Sequence, residues 1–164
     1  MTAKEMTFLQ SVVLAAQQSQ KACGIPASVT IAQAILESGW GQSKLAQEAN
    51  NFFGVKAKQG EDYAEFSTTE FLNGRKKEVM ARFARYSSPV ESFRAHAALL
   101  STLPRYKPAM ACAHDPGAFA KQIQLCGYST NPSYAESLIA VIRAFDLTQY
   151  DIQPVPPATK EKAA

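Results

Sequence analysis

"AILESGWGQS", Ala34 to Ser43, is the stretch on which the reading of this chain turns. An apolar helical pattern runs into Glu37 and stops at a Ser-Gly-Trp-Gly turn holding the only tryptophan, Trp40. Upstream, Pro26 suits the first position of a helix, where a missing N–H removes no bond, and Val29, Ala32, Ile35 and Leu36 form a stripe expected to be buried until Gly39. Glu37 therefore falls in the last turn, where the helix macrodipole disfavours an exposed carboxylate by roughly 0.3–1 kcal/mol. Apolar surroundings supplied by Trp40, Phe52 and Phe53 would push the carboxyl pKa up further, toward a group that can protonate a leaving oxygen. On position alone a solvated helix end or an ion pair is the simpler account of Glu37, and core packing the simpler account of Trp40.

Outward from this helix, Met6, Leu9, Val12, Val13 and Ala16 recur at helical spacing between about Glu5 and Ala22, with Gly24 as the stop. After the loop "NNFFGVKAKQGED", the segment from Glu65 to Phe83 becomes rich in Thr, Phe and Val around Asn73-Gly74, which predicts a β-hairpin. Ser88-Pro89-Val90-Glu91 reads as a capping box opening a helix through Phe93, Ala97 and Leu100. Asp115-Pro116 opens another, closed by Gly127, and Asn131-Pro132 opens the last, with Leu138, Val141, Ile142 and Phe145 on one face. The expected class is α+β, mainly helical, with a small antiparallel hairpin. Residues 1–152 form one domain in this reading, and the tail from Gln153, "QPVPPATKEKAA", has too little to bury and is expected to be flexible.

The 164 residues, 46% hydrophobic, suffice for one core and are too few to expect two. A net charge of +3, densest at Arg75-Lys76-Lys77, is too small to argue for nucleic acid but suits an anionic polymer. Cys23, Cys112 and Cys126 lack metal or redox spacing and read as free, buried thiols. His96 and His114 stand apart from any ligand pattern, so no metal site is expected, and Cys126 has no arranged histidine base. No apolar run approaches the roughly 18 residues of a membrane span, and no charged-then-apolar leader opens the chain, which reads as soluble and without a Sec-type address.

Composition and periodicity leave the role of Glu37 open, but the motifs go further. "IAQAILESGWGQS" (Ile31–Ser43), "NNFFGVKA" (Asn50–Ala57), "TTEFLNG" (Thr68–Gly74), "FARYSSPVESF" (Phe83–Phe93) and "GYSTNPSYAESL" (Gly127–Leu138) stand in one order over nearly the whole chain. In them the chain resembles the peptidoglycan-cleaving N-acetylglucosaminidases of glycoside hydrolase family 73. The resemblance implies a lysozyme-like domain that works without a cofactor and cuts bacterial cell-wall glycan after N-acetylglucosamine. Glu37 stands where the family places its catalytic acid, and Glu70 matches the hairpin glutamate of the second carboxylate. Glycoside hydrolysis needs that second group about 5–5.5 Å away as a nucleophile or roughly 6.5–9.5 Å away as a base. A two-residue turn would set Glu70 opposite Lys77, so a cross-strand ion pair explains it equally well without catalysis. Asp62, Glu61 and Glu65 are nearby alternatives.

Should the substrate's own acetamido oxygen attack instead, a group that orients it matters more than Glu70. Tyr128 is the candidate, because "GYST" matches the family block with a tyrosine close to the acid; closing a helix corner is its other account. By the same matching, Asn51, Phe52 and Phe53 line the groove, with one phenylalanine expected in the core. Tyr134 is expected to pack in the last helix, with a groove contact as the family-based option, and Trp40 is a platform for a sugar ring. The partner implied is the glycan strand, met by a monomer at the cell wall. Export would follow a flagellar, other non-Sec or phage-encoded route, or the leader has been trimmed. A lytic transglycosylase and a glycan-binding module that does not cut are the rivals.

Overall fold

The computed structural model describes residues 1–72 and 75–152. Thr2 opens the first helix, α1 (Ala3–Cys23): its hydroxyl accepts from the Glu5 N–H while the Glu5 carboxylate accepts from the Thr2 N–H. Gly24 ends it with φ of 79°. The buried stripe is Phe8, Leu9, Val12, Ala15, Ala16 and Ser19. Met6, expected in that stripe, is exposed, because the packed face is centred on Phe8, Val12 and Ala15.

The second helix, α2 (Ala27–Ser38), differs from expectation in an instructive way. Ten of its twelve residues are buried, all but Leu36 and Glu37. A one-sided stripe ending in Leu36 is replaced by a helix enclosed all round, against α1, the last two helices and a 3-10 turn at Leu147–Tyr150. Pro26 serves as its N-cap and provides no side-chain bond. That end is closed from far along the chain instead: the Asp151 carboxylate accepts from the Ser28 N–H at 2.7 Å and the Ser28 hydroxyl at 2.8 Å.

Beyond α2 the chain reverses through three consecutive left-handed residues, Gly39, Trp40 and Gly41, with φ of 57°, 59° and 72°. A Cβ on Gly41 would meet the Phe8 ring at 3.0 Å, so both backbone and packing demand glycine there. The Ser38 hydroxyl donates to the Ala34 carbonyl and accepts from the Gly41 N–H, tying helix end to turn. A short helix that the sequence reading did not anticipate, α3 (Lys44–Ala49), follows, with Ser43 as its N-cap.

The hairpin is as expected in kind and register. Strands β1 (Tyr63–Leu72) and β2 (Arg75–Ala84) pair antiparallel, with Glu70 opposite Lys77. The Asn73-Gly74 turn and the Glu70 side chain lie outside the described residues, as does the tail 153–164. Helix α4 (Pro89–Thr102) starts at Ser88, whose hydroxyl accepts from the Glu91 N–H. The returning half of the capping box is displaced by one residue, since the Glu91 carboxylate accepts from Ser87 rather than Ser88. A 3-10 turn at Pro104–Tyr106 and the short α5 (Lys107–Ala111) lead to α6 (Pro116–Leu125), capped by Asp115. The last helix, α7 (Tyr134–Ala144), begins after Ser133, two residues later than Asn131-Pro132 suggested. The three cysteines are free but half-buried rather than buried. No described helix is long and apolar enough to cross a membrane.

Candidate active site

Glu37 emerges from the enclosed helix α2 onto a cluster of tyrosines. The Tyr134 hydroxyl, from the first residue of α7, donates to one carboxyl oxygen at 2.5 Å, and the Tyr128 hydroxyl, from the loop after α6, donates to the other at 3.2 Å. The two rings stack on one another with centroids 5.4 Å apart, and Tyr106 lies 6.3 Å from Tyr128. Protein surrounds the carboxyl densely while the residue as a whole stays half-buried, so part of it still reaches solvent.

This burial raises the Glu37 pKa from 4.5 to about 7, and the tyrosine hydrogen bonds, Tyr134 more than Tyr128, hold it from rising further. The direction and its cause, desolvation, are those expected from the sequence, but the side chains found against the carboxyl are Tyr128 and Tyr134. The Trp40 ring meets Phe8 and Phe145 edge-on, at centroid distances of 5.8 and 4.8 Å, and its open side faces a hollow of about 460 Å³ along α1. The ring contacts found for Trp40 are thus with α1 and the end of α7, away from the tyrosines that hold Glu37. Phe52 and Phe53 are both buried, where one was expected in the core. Phe53 stacks on the His96 ring with centroids 4.0 Å apart.

Asn51, matched to the groove, is only 1% exposed and its side chain is fully engaged inside the protein. Its amide donates to the carbonyls of Val55 and Ala84, and its carbonyl accepts from the N–H groups of Phe53 and Val55. The residue therefore fastens the root of the hairpin to the helical body, and the geometry supports that role rather than contact with substrate. Tyr134 is likewise buried, and its contact is with the acid. Glu70 is fixed by the structure only in its register, in step with Ala64, Phe66 and Thr68 along β1.

Two residues that the sequence reading did not select complete the site. Gln33, one helical turn before Glu37, donates its amide N–H to the Tyr134 hydroxyl at 3.1 Å. His96, 1% exposed on α4, has Nε2 at 3.1 Å from the Tyr128 hydroxyl, and burial lowers its pKa to about 3, which keeps the ring neutral. A glutamine within an apolar helix at i−4 from a glutamate was a legible signal. Among the described residues no group of three or more His, Cys, Asp or Glu is placed to hold a metal.

A family model described as "Glucosaminidase: Mannosyl-glycoprotein endo-beta-N-acetylglucosaminidase" matches residues 13–147. The chain is 37% identical over 153 residues to the exo-glucosaminidase LytG of Bacillus subtilis, covering 90% of this chain and 54% of that protein. It is 39% identical over 143 residues to the peptidoglycan hydrolase FlgJ of Salmonella typhimurium, covering 83% and 45%. The chain thus spans about half the length of the curated relatives it matches. Among solved structures, the catalytic domain of the autolysin Auto from Listeria monocytogenes superposes with a TM-score of 0.82 at 30% identity, covering 92% of this chain and 89% of that one. The glycoside hydrolase domain of Salmonella typhimurium FlgJ gives 0.73 at 34% identity, covering 88% and 90%.

Proposed function

From the premise that the chain belongs to the Glucosaminidase family of glycoside hydrolases, we propose that it is a peptidoglycan hydrolase, an endo-β-N-acetylglucosaminidase that cuts the GlcNAc-β-1,4-MurNAc bond at the bacterial cell wall. The observation that carries this reading is the Glu37 carboxyl, half-buried and bracketed by two tyrosine hydroxyls, in surroundings whose burial raises its pKa to about 7. Such a group is protonated often enough near neutral pH to act as a general acid and is still partly accessible.

In the proposed reaction Glu37 gives its proton to the bridging oxygen as the bond from that oxygen to the anomeric carbon breaks, and the bonding pair stays on the oxygen. The oxocarbenium-like centre then takes the oxygen of a water, whose proton passes to a carboxylate. Glu70 is the proposed acceptor, supported by its motif and by a register that keeps it in step with the less exposed positions of β1. The alternative within the same reading is attack by the substrate's acetamido oxygen. Tyr128 is assigned to the catalytic group in either case, supported by the hydrogen bond from its hydroxyl to the acid.

A second reading is a lytic transglycosylase, in which one carboxylate serves as both acid and base; among the described residues the hydrogen-bond partners found for Glu37 are the two tyrosines. Mass spectrometry of the products from purified sacculi separates the two. Reducing GlcNAc termini are expected; 1,6-anhydro-MurNAc termini would establish the transglycosylase. Early release of a range of glycan lengths supports endo cleavage, whereas stepwise release from chain ends would align the chain with the exo-acting relative.

A further inference from the structure

Two buried side-chain atoms among the described residues lack a hydrogen-bond partner, the Gln33 carbonyl oxygen Oε1 and the His96 ring nitrogen Nδ1. They lie at the far ends of the same cluster. Gln33 precedes Tyr134, and Tyr134 contacts one oxygen of Glu37; His96 precedes Tyr128, and Tyr128 contacts the other. Unpaired buried acceptors are uncommon in folded proteins, and two of them meeting one carboxyl through one intermediary each ask for a common cause.

The cause is the single proton of a phenol. A tyrosine hydroxyl that donates to Glu37 has no second proton, so it can only accept from whatever stands behind it. Behind Tyr134, Gln33 must then present its NH₂ group, which turns Oε1 into a pocket without donors. Behind Tyr128, neutral His96 must carry its proton on Nε2, which leaves Nδ1 as a bare acceptor. Flipping the Gln33 amide would strand its Nε2 in place of Oε1, and moving the His96 proton to Nδ1 would leave it without an acceptor; either change would also turn that tyrosine's proton away from the carboxyl.

On the reading of Glu37 as the acid, we propose that Gln33 and His96 are positioning residues that lock two one-way hydrogen-bond relays, Gln33 to Tyr134 and His96 to Tyr128, onto the two oxygens of Glu37. Each oxygen then has one lone pair occupied by a phenol, and the transferable proton is confined to the directions that remain. Once that proton has left, the carboxylate is held by two donors already in place, with no reorganisation of the site. Each relay also strengthens its last hydrogen bond by polarising the one before it. The Phe53 ring, stacked on His96, fixes the imidazole plane from the other side.

The test begins with the unaltered protein and needs no activity. With ¹⁵N-labelled histidine, the ring nitrogens of His96 should report the neutral Nε2–H tautomer from pH 8 down to about 4, as the lowered pKa of the buried ring requires. The Nδ1–H tautomer, or an imidazolium at neutral pH, would overturn the proposal. With ¹³C-labelled glutamate, the Glu37 carboxyl is then titrated in the wild type, in His96→Phe and in His96→Gln. The titratable groups set against Glu37 are Tyr128, Tyr134 and, further off, Tyr106, with His96 acting through Tyr128. Losing the donor behind Tyr128 should raise the Glu37 midpoint by roughly half a pH unit and move the alkaline limb of the clearing rate with it, while Gln, which can still aim an amide N–H at Tyr128, should restore both. An unchanged midpoint in folded His96→Phe refutes the relay. Should His96→Phe not fold, Gln33→Leu puts the same question to the other arm, with the same two outcomes. A wild-type protein that fails to clear peptidoglycan would instead defeat the functional reading, and the tautomer and titration results would stand apart from it.

Discussion

Two elements carry the proposed carboxylates, and they are built by opposite means. Helix α2 is enclosed by the rest of the fold on all sides and exposes Leu36 and Glu37 alone. The hairpin is a sheet of two strands, tied to the segment before it by a bridge between Lys56 and Phe83 near its root, with Tyr63 and Met80 among its exposed residues. Glu37 owes its raised pKa and its hydrogen bonds to long-range packing that leaves it one place to be. Glu70 owes its position to a register along a ribbon attached at its root, where Asn51 bonds to the Val55 and Ala84 carbonyls. The acid is thus preorganised by burial, while the second group depends on where a lever arm is held. A general acid gains most from fixed, desolvated surroundings, and a partner across the sugar must leave room for the substrate to enter.

The contrast breaks most visibly at Glu37 itself. Glu37→Gln should cut the rate of peptidoglycan clearing by about 10²–10⁴-fold with an unchanged circular-dichroism spectrum, the range that general acid catalysis supplies. The same variant carries a stability test. A carboxyl whose folded pKa lies above its unfolded value holds its proton more tightly when folded, so its stabilising effect is complete below about 4.5 and is lost as pH rises through about 7. Thermal melts should therefore show Glu37→Gln gaining on the wild type between pH 5 and pH 8, by about 2 kcal/mol after allowance for solvent exposure. A parallel pH response of the two proteins would mean that burial does not set this pKa. For Glu70→Gln a smaller loss is expected, about 10–100-fold, measured as the rate of peptidoglycan clearing. Full activity would transfer the second role to another group or to the substrate acetamide.

Much of this contrast was legible in the residues. Gly24 and Gly39 end α1 and α2 where a left-handed residue was needed, and the two-residue spacing at Asn73-Gly74 correctly set Glu70 opposite Lys77. These are short-range facts, carried by turn chemistry and strand period. The sequence reading missed α3 and α5, whose six and five residues are too few for a hydrophobic period to declare itself. It also gave α2 a one-sided stripe, because small polar residues such as Ser28 and Thr30 look solvent-facing until the surrounding helices are known. At the site, the motif points to Glu37 and Tyr128, but it leaves Tyr134 as a packing residue first and gives His96 no ligand pattern. Their roles rest on contacts between residues 97 and 32 positions apart, which no local pattern encodes. Asn51 shows the converse, a motif residue whose matching suggested the groove and whose bonds lie wholly inside.

Asn51 also offers the sharper cut between the two elements. Asn51→Ala strips partners from buried backbone groups at the hairpin root and should cost about 2–3 kcal/mol in denaturant unfolding. If the lever arm matters, the rate on peptidoglycan should fall while the Glu37 titration midpoint stays where it is. A shifted midpoint would show that the hairpin root and the acid are coupled after all, and that the helix is not self-sufficient.

The smallest effect belongs to the far end of α2. Asp151 substitutes for the missing side-chain cap, bonding to both the N–H and the hydroxyl of Ser28, and its negative charge sits at the positive end of the helix dipole. Asp151→Ala should cost about 1 kcal/mol, which lowers the melting temperature of a chain of this size by roughly 2–4 °C. Activity well below the melt should nevertheless hold, because Glu37 is placed by Tyr128 and Tyr134 and by the packing along α2, two and a half turns from the cap. Clearing assays at 25 °C, set beside the melt, decide the point. A loss of rate out of proportion to the loss of stability would mean that α2 shifts along its axis when its first turn is released, and that the acid is held by its anchorage at the helix start as much as by the tyrosines at its end.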